Sequence, residues 1–197
     1  MKVAIAFLLD HKIHNFMRSL AVDIHRQYPL GFSAASALPH ISLKQPFPIA
    51  DLAEVEAYFE QLAASIPPFK VELTRLELQT YAGQSRGIAP TKKAEWGILW
   101  LAVRENPVLR NLHRRINREL GERFENTRAA FDGEAYRFHA TLFTGEQNAD
   151  LYREAFAAYK DTPINLSCTI KQIALFYKNN DSADVRDFIT YKILPLK

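Results

Sequence analysis

The chain has 197 residues, of which 48% are hydrophobic and 12% aromatic, an ordinary balance for one large globular domain or two small lobes. Its net charge of +3 suits an anionic ligand but is too small for the concentrated basic surface of a general nucleic-acid-binding protein. The single cysteine, Cys168, excludes an internal disulfide and a cysteine-based zinc site, and we expect it in the core of a strand.

The chain begins with a short apolar run, residues 3–9 (VAIAFLL), that ends at Asp10. Seven apolar residues are too few to cross a membrane, and the run lacks the small-residue cleavage pattern of a signal peptide. It therefore predicts a buried strand. On the same grounds we expect a cytoplasmic protein that does not bind membranes.

The spacing of apolar residues predicts the other elements in chain order. Helical spacing, with candidate N-caps at Asp51 and Asn106, predicts helices over residues 11–28, 48–65, 106–124 and 149–160. Alternation and short apolar runs predict strands over residues 39–44, 69–79, 95–103, 136–143, 164–177 and 187–196. A loop rich in glycine and basic residues interrupts the pattern, and we place a lobe boundary there, at about residues 80–94.

The order of these elements repeats along the chain, although no residue-level repeat is visible. Strand, helix, strand, helix and strand occur twice, with one strand added at the end. This order predicts an α+β fold in which residues 1–197 form a single bilobal domain. We expect a duplicated β-α-β-α-β unit with pseudo-twofold symmetry and two antiparallel-rich sheets that face a central cleft.

Two of the predicted strands carry a histidine followed two residues later by a hydroxyl group. Residues 38–47 (LPHISLKQPF) contain His40 and Ser42, and residues 136–143 (YRFHATLF) contain His139 and Thr141. Residues i and i+2 of a strand point to the same face, so each histidine shares a face with its hydroxyl. One copy falls in each half of the chain, and the two polar faces are expected to line one groove.

Two imidazoles and two hydroxyls in one groove suit phosphoryl transfer to water. Each imidazole has a pKa near 6.5, so one can act as a base and the other as an acid at neutral pH. Hydroxyl groups can hold the non-bridging phosphate oxygens as charge builds on them. A strained cyclic phosphodiester needs no metal for this chemistry. A metal site is the weaker alternative, because no carboxylate or third histidine lies nearby in the sequence.

The motifs HISL and HATL resemble the paired H-x-[S/T]-x signatures of the 2H phosphoesterase superfamily. The longer segments PHISLKQPF and FHATLFTGE are most similar to its 2′-5′ RNA ligase-like branch, which includes cyclic phosphodiesterases. The resemblance implies hydrolysis or reversible ligation at 2′,3′-cyclic or 2′-5′ phosphodiesters of RNA or nucleotides. It assigns catalysis to His40 and His139 and phosphate binding to Ser42 and Thr141. It leaves open which histidine is the base.

Five further residues are candidates for substrate binding. Lys44 continues the face of His40, and Arg137 precedes His139 on its face, so both are candidates to contact phosphate, with solvent-facing charge as the alternative. Tyr81, Arg86 and Lys92 belong to the loop between the lobes and are candidates to close over a base or a phosphate. An ordinary surface loop is the alternative for these three.

The other charged and imidazole groups are expected on solvated faces. These are His11, His14, His25, His113 and the basic cluster Arg114, Arg115 and Arg118. The expected partner is a nucleotide or an RNA-end phosphodiester, bound by a monomer without a cofactor. A non-catalytic RNA- or nucleotide-binding module is the alternative function. The presence of both histidines and both hydroxyls favours the enzyme, because a binding module does not need two imidazoles.

Overall fold

A computed structural model describes residues 1–81, 96–129, 131–145, 149–179 and 188–197. Within these ranges the strands are β1 (Lys2–Leu8), β2 (His40–Pro48), β3 (Phe69–Tyr81), β4 (Trp96–Val103), β5 (His139–Gly145), β6 (Leu166–Ile170), β7 (Gln172–Lys178) and β8 (Ile189–Pro195). The helices are α1 (His11–Gln27), α2 (Leu52–Ala64), α3 (Pro107–Arg123) and α4 (Ala149–Tyr159), and a short 3-10 helix spans Phe32–Ser36. No helix in these ranges is long and apolar enough to span a membrane.

Side-chain caps fix the starts of the first three helices. Asp10 accepts a hydrogen bond from the backbone N–H of the third residue of α1, at 2.9 Å. Asp51 accepts one from the second residue of α2, at 2.8 Å, and Asn106 accepts one from the third residue of α3, at 2.9 Å. Each cap satisfies a backbone N–H that has no partner within its helix. The predicted caps at Asp51 and Asn106 are confirmed.

The strands form two four-stranded antiparallel sheets, which confirms the α+β class. The first sheet has the order β2-β1-β7-β8, and the second has the order β5-β4-β3-β6. Each order begins with a histidine strand, β2 or β5, followed by the strand that opens its repeat, β1 or β4. The two sheets are therefore equivalent in topology, as a pseudo-twofold arrangement requires. Both histidine strands are edge strands, and β2 contacts β5 across the sheets.

Each sheet takes strands from both halves of the chain, so the predicted lobe boundary at residues 80–94 is wrong. Strand β3 precedes that boundary but pairs with β4 after it, in the second sheet. Strands β7 and β8 end the chain but belong to the first sheet, where β7 pairs with β1. The prediction failed because it assumed that each sheet is built from consecutive strands.

The strand predicted over residues 164–177 is two strands in different sheets. The chain leaves β6, which pairs with β3, and passes through Lys171 into β7, which pairs with β1. The apolar pattern runs through this crossing without a turn residue. Cys168 lies in β6 and is buried, as expected.

The helices also cross between the sheets. Helix α1 follows β1 of the first sheet but contacts β5 and β6 of the second, whereas α3 follows β4 of the second sheet but contacts β2 of the first. Helix α2 contacts β7 and β8, and α4 contacts β3 and β4. One continuous hydrophobic core therefore includes residues of both sheets.

The packing of α4 on the second sheet depends on a glycine. The ring of Tyr152 in α4 lies directly over Gly97 in β4, where a Cβ atom would be 2.5 Å from Cγ of the ring. Any side chain at this position would push the helix away from the sheet.

Candidate active site

The two histidine strands are joined by a tyrosine. Tyr136 lies three residues before His139, and its hydroxyl donates a hydrogen bond of 3.1 Å to the backbone carbonyl of Ser42 in β2. The same hydroxyl accepts a hydrogen bond of 3.1 Å from Nε2 of Gln45. The side chain of Tyr136 is buried. It therefore links the segment that leads into β5 to the backbone of β2 at the first hydroxyl residue.

Both candidate catalytic imidazoles are oriented by the same local hydrogen bond. Nδ1 of His40 lies 2.7 Å from the carbonyl oxygen of Leu38, and Nδ1 of His139 lies 2.7 Å from the carbonyl oxygen of Arg137. A carbonyl can only accept, so in both rings Nδ1 carries the proton and donates it. In the neutral ring Nε2 is then the basic nitrogen. The two motifs thus present the same tautomer.

The rings differ in the surfaces on which they lie. His139 stacks on Trp100 of β4, with ring centroids 4.4 Å apart, whereas His40 lies at 4.8 Å from Phe176 of β7 in a tilted arrangement. Desolvation in this apolar setting lowers the pKa of His40, and the hydrogen bond to the Leu38 carbonyl opposes part of the shift. His40 is therefore biased towards the neutral form.

The residues paired with the two hydroxyl residues on the neighbouring strands differ in size. In the first sheet Ser42 is paired with Ala6, whereas in the second Thr141 is paired with Trp100. Directly paired residues in a sheet share a face. A small residue, Ala6, therefore lies beside the first motif on the face of His40, and a large aromatic residue, Trp100, lies beside the second motif on the face of His139. The pseudo-twofold symmetry holds for the candidate catalytic groups but not for their surroundings.

A β-bulge removes Lys44 from the face of His40. In the pairing of β1 with β2, Ile5 lies opposite Lys44 while the next residue, Ala6, lies opposite Ser42, so β2 contains one extra residue between them. A bulge shifts the alternation of side chains by one position. The prediction that Lys44 shares the face of His40 and Ser42 is therefore wrong.

The side chain of Lys44 is instead buried beneath β2. Its ammonium group donates to Oδ1 of Asn117 in α3, at 2.8 Å, and forms an ion pair with Asp132. The side chains of the pair are 0% and 6% exposed. Burial lowers the pKa of Lys44, and the hydrogen bond and charge of Asp132 raise it. Lys44 stabilises the junction of β2 and α3 and does not line the groove.

The other predicted substrate-binding residues divide into two groups. Arg137 and Tyr81 line a cavity of about 300 Å³ that His139 also lines, so the structure brings these three together. Arg137 forms an ion pair with Glu77, and its guanidinium lies 5.7 Å from the ring centroid of Trp100. Arg86 and Lys92 lie outside the described residues.

His113 is buried, contrary to the prediction of a solvated face. It is 1% exposed, and its ring stacks on Tyr136 at 4.7 Å. Nδ1 donates to the carbonyl oxygen of Leu43 at 2.8 Å, and Nε2 accepts from the N–H of Gly133 at 3.2 Å. Burial lowers its pKa. The sequence contained the signal, because residues 109, 113, 116 and 120 form one helical stripe whose other members are apolar.

The remaining histidines and the basic cluster are at or near the surface. His11 is exposed, whereas His25 is half-buried, with Nδ1 2.7 Å from the carbonyl oxygen of Leu30. Two arginines of α3 form exposed ion pairs, as a solvated helix face predicts: Arg114 with Glu134 and Arg118 with Glu122. Arg115 is half-buried, and so is its partner Glu119. Among the described residues, no group of three or more His, Cys, Asp or Glu side chains is placed to hold a metal ion.

Sequence reasoning missed the aromatic and acidic residues around His139. Trp100 stacks on the imidazole, and its Nε1 donates a hydrogen bond of 3.1 Å to Glu77. The strand predicted over residues 95–103 carries two tryptophans, Trp96 and Trp100, on the same face, but the local pattern predicts only a strand. Pairing with β5 is what brings Trp100 against the motif, and no local pattern reveals that pairing.

Two antiparallel sheets whose histidine strands meet, each strand with a hydroxyl two residues after its histidine, are typical of two-histidine phosphoesterases. The chain belongs to the 2′-5′ RNA ligase superfamily, whose family model matches residues 11–182. No curated protein matches the sequence.

Solved structures match over nearly the whole chain, at low identity. The protein TT0787 of Thermus thermophilus is 15% identical with a TM-score of 0.60, and the match covers 100% of this chain and 98% of that one. E. coli LigT complexed with 3′-AMP is 18% identical with a TM-score of 0.55, covering 99% and 97%. E. coli LigT complexed with NADP+ is 18% identical with a TM-score of 0.54, covering 99% and 96%. These likenesses show the fold.

Proposed function

We propose that the protein is a metal-independent phosphoesterase that acts on 2′,3′-cyclic or 2′-5′ phosphodiesters of RNA or nucleotides. The observation that carries this proposal is the matched pair of imidazoles. His40 and His139 are held by the same hydrogen bond, in the same tautomer, on two strands that contact each other. Membership of the 2′-5′ RNA ligase superfamily supports it, as do the complexes of E. coli LigT with 3′-AMP and NADP+.

Hydrolysis of a cyclic phosphate requires one proton to be removed and another to be supplied. A neutral imidazole takes a proton from water at Nε2 while the water oxygen forms a bond to phosphorus. The bond from phosphorus to one ribose oxygen breaks, and the second, protonated imidazole gives its proton to that oxygen. Ser42 and Thr141 donate hydrogen bonds to the non-bridging oxygens, on which charge builds. The product is a ribose that carries a phosphate monoester on one oxygen and a free hydroxyl on the neighbouring carbon.

The surroundings of the two histidines favour one assignment of roles. Burial lowers the pKa of His40, so its ring is available as the neutral base. A protonated His139 would lie over the face of Trp100, whose π electrons attract a cation. We therefore assign the base in hydrolysis to His40 and the acid to His139. In ligation a hydroxyl of the second RNA end replaces water as the nucleophile, so the two roles are unchanged, and they exchange only when that ligation runs in reverse.

The proposal is tested by turnover of a 2′,3′-cyclic mononucleotide and of a 2′-5′-linked dinucleotide, each with and without EDTA. We expect turnover of at least one of them at the same rate in both conditions. Turnover that is lost with EDTA and restored by Mn²⁺ or Zn²⁺ would contradict the two-histidine scheme. Tight binding of the nucleotide without any turnover would instead favour the non-catalytic binding module.

A further inference from the structure

A second cavity, of about 370 Å³, lies beside the candidate active site and is lined by three arginines. We call these residues, Arg75, Arg104 and Arg137, the arginine cleft. Arg137 also lines the cavity that contains His139, so the two cavities share a wall. Arg137 therefore lies between the arginine cleft and the cavity that contains His139.

The register of the second sheet places the cleft on the same face as His139. His139 in β5 is paired with Ala102 in β4, and Ala102 is paired with Arg75 in β3. Paired residues share a face, so these three form one row across the sheet. The small side chain of Ala102 leaves open the space between the imidazole and the guanidinium. The arginine cleft and the candidate active site therefore lie on the same face of the second sheet, side by side.

The guanidinium groups of the cleft are oriented and accessible. Glu77, whose side chain is 13% exposed, forms ion pairs with both Arg75 and Arg137, one through each carboxylate oxygen. Arg104 forms an ion pair of 3.0 Å with Glu72. The side chains of the three arginines are 57% to 67% exposed. The exposed pair of Arg104 with Glu72 contributes little energy, so a phosphate can replace it. Arg75 and Arg137 keep their largely buried partner Glu77, and a phosphate can bind the exposed N–H groups of their guanidiniums.

The second acidic residue of the cleft has its own partner. Glu105 lines the cavity but is held by Arg110 through two hydrogen bonds of 2.7 and 2.8 Å. This bidentate pair neutralises the carboxylate next to the cleft. An anion in the cleft therefore meets three guanidinium groups, with Glu77 largely shielded behind two of them.

We propose that the arginine cleft binds the phosphate that precedes the terminal nucleotide, so that the substrate is a single-stranded RNA end and not a free nucleotide. This inference rests on the proposed function. The terminal base then occupies the cavity beside His139, where Tyr81, Phe131 and Tyr136 supply aromatic surface. The strand passes Arg137 and places its preceding phosphate between Arg75 and Arg104.

The test compares the affinity for a trinucleotide that carries a 3′-phosphate with the affinity for a nucleoside 3′-monophosphate. Both dissociation constants are measured by calorimetry for the wild type and for Arg75→Gln, Arg104→Gln and Arg118→Gln. Arg118 is the matched control, because it is 67% exposed and forms an ion pair with Glu122 outside the cleft. Thermal unfolding confirms that each variant is folded.

In the wild type we expect the trinucleotide to bind about 10- to 100-fold more tightly than the mononucleotide, because it adds phosphate contacts. Arg75→Gln and Arg104→Gln should each reduce this ratio about 3- to 10-fold. Each should also make the slope of log K for the trinucleotide against log salt concentration about 0.7 less steep, because one phosphate contact is lost. Arg118→Gln should leave the ratio and the slope unchanged.

Equal affinities in the wild type, an unchanged ratio in both cleft variants, or an equal loss in Arg118→Gln would each overturn the inference. The readout is binding and does not depend on turnover. Hydrolysis of a cyclic mononucleotide by the same wild-type preparation tests the proposed function separately. Failure of the proposed phosphoesterase activity is therefore distinguishable from failure of phosphate binding in the arginine cleft.

Discussion

At the scale of single residues, His40 and His139 differ only in what surrounds them. Both donate from Nδ1 to the carbonyl oxygen two residues earlier. One lies against Phe176 in an apolar setting, and the other lies on Trp100, which Glu77 holds through its indole N–H. A duplicated motif thus provides two identical groups, and the neighbouring strands make them chemically different.

Removal of either imidazole should disable turnover without unfolding the protein. We expect His40→Ala and His139→Ala each to lower kcat by about 10²- to 10⁴-fold, as the loss of a general acid or base does. The double variant should lose much less than the product of the single effects, because both groups act in one step. Steady-state rates on a cyclic phosphate measure this, with His11→Ala as the control, since His11 is exposed on α1. A single variant with near wild-type kcat would remove that histidine from the mechanism.

The pH profile tests the assignment of His40 as the base. A base must be neutral to work, and burial lowers the pKa of His40 below its usual 6.5. The acid limb of the kcat/KM profile should therefore lie below pH 6.5, with both limbs belonging to the coupled pair. Ser42→Ala and Thr141→Ala should lower the rate without moving the limbs, because hydroxyls do not titrate in this range. An acid limb above pH 6.5 would contradict the assignment.

At the scale of secondary-structure elements, a buried ion pair joins β2 to α3 and to the segment before β5. Lys44 reaches Asn117 and Asp132, and His113 bonds to the backbone of β2 one residue earlier. These contacts lie directly beneath the first histidine strand. They hold the strand against a helix that follows β4 of the other sheet.

Breaking this pair should destabilise the protein strongly. Lys44→Met leaves the Asp132 carboxylate buried without its cation, so we expect the free energy of unfolding to fall by about 3–5 kcal/mol. The double variant Lys44→Met/Asp132→Leu should recover most of the loss, because it removes both charges. Urea unfolding measures both effects. KM is measured for Lys44→Met at a temperature at which it remains folded, and it should change little, since Lys44 does not line the cavity beside His139, whereas Asp132 does. A large rise in KM with unchanged stability would restore Lys44 as a substrate contact.

Local features of the fold were predictable from the sequence, and long-range pairing was not. The caps Asp51 and Asn106 and the two motifs depend only on neighbouring residues. Lys44 is buried because β2 has a bulge where it pairs with β1. The chain changes sheet at Lys171 because β6 pairs with β3 and β7 pairs with β1. Aromatic contacts of the candidate site, such as Trp100 on His139, follow from the same unpredicted pairing.

At the scale of the whole molecule, the halves of the chain are interleaved and share one core. The first sheet needs strands from both ends of the sequence, and each sheet is covered in part by a helix that follows a strand of the other. The two histidine strands meet at the boundary between the sheets. The candidate site is therefore a product of the complete fold and not of either half.

Neither half of the chain should fold alone. The fragment 1–88 contains β1 without β7 and β3 without β4, and the fragment 89–197 contains β7 without β1. We expect each fragment to lack a cooperative thermal transition by circular dichroism, because its sheets are incomplete and its apolar faces uncovered. A mixture of the two should regain the transition. A sharp transition in either fragment alone would show that the halves are independent lobes.

The pairing of β1 with β7 has a consequence for synthesis on the ribosome. Val3 pairs with Tyr177, so β1 leaves the ribosome 177 − 3 = 174 residues before this partner. At about 5–20 residues per second that interval lasts roughly 10–35 s, during which β1 can pair with β2 but its other edge has no partner. Strands β3, β4 and β5 are complete by Gly145 and can pair earlier. We therefore expect the sheet with His139 to form first, and the open edge of β1 to be prone to aggregation until β7 and β8 complete the sheet with His40.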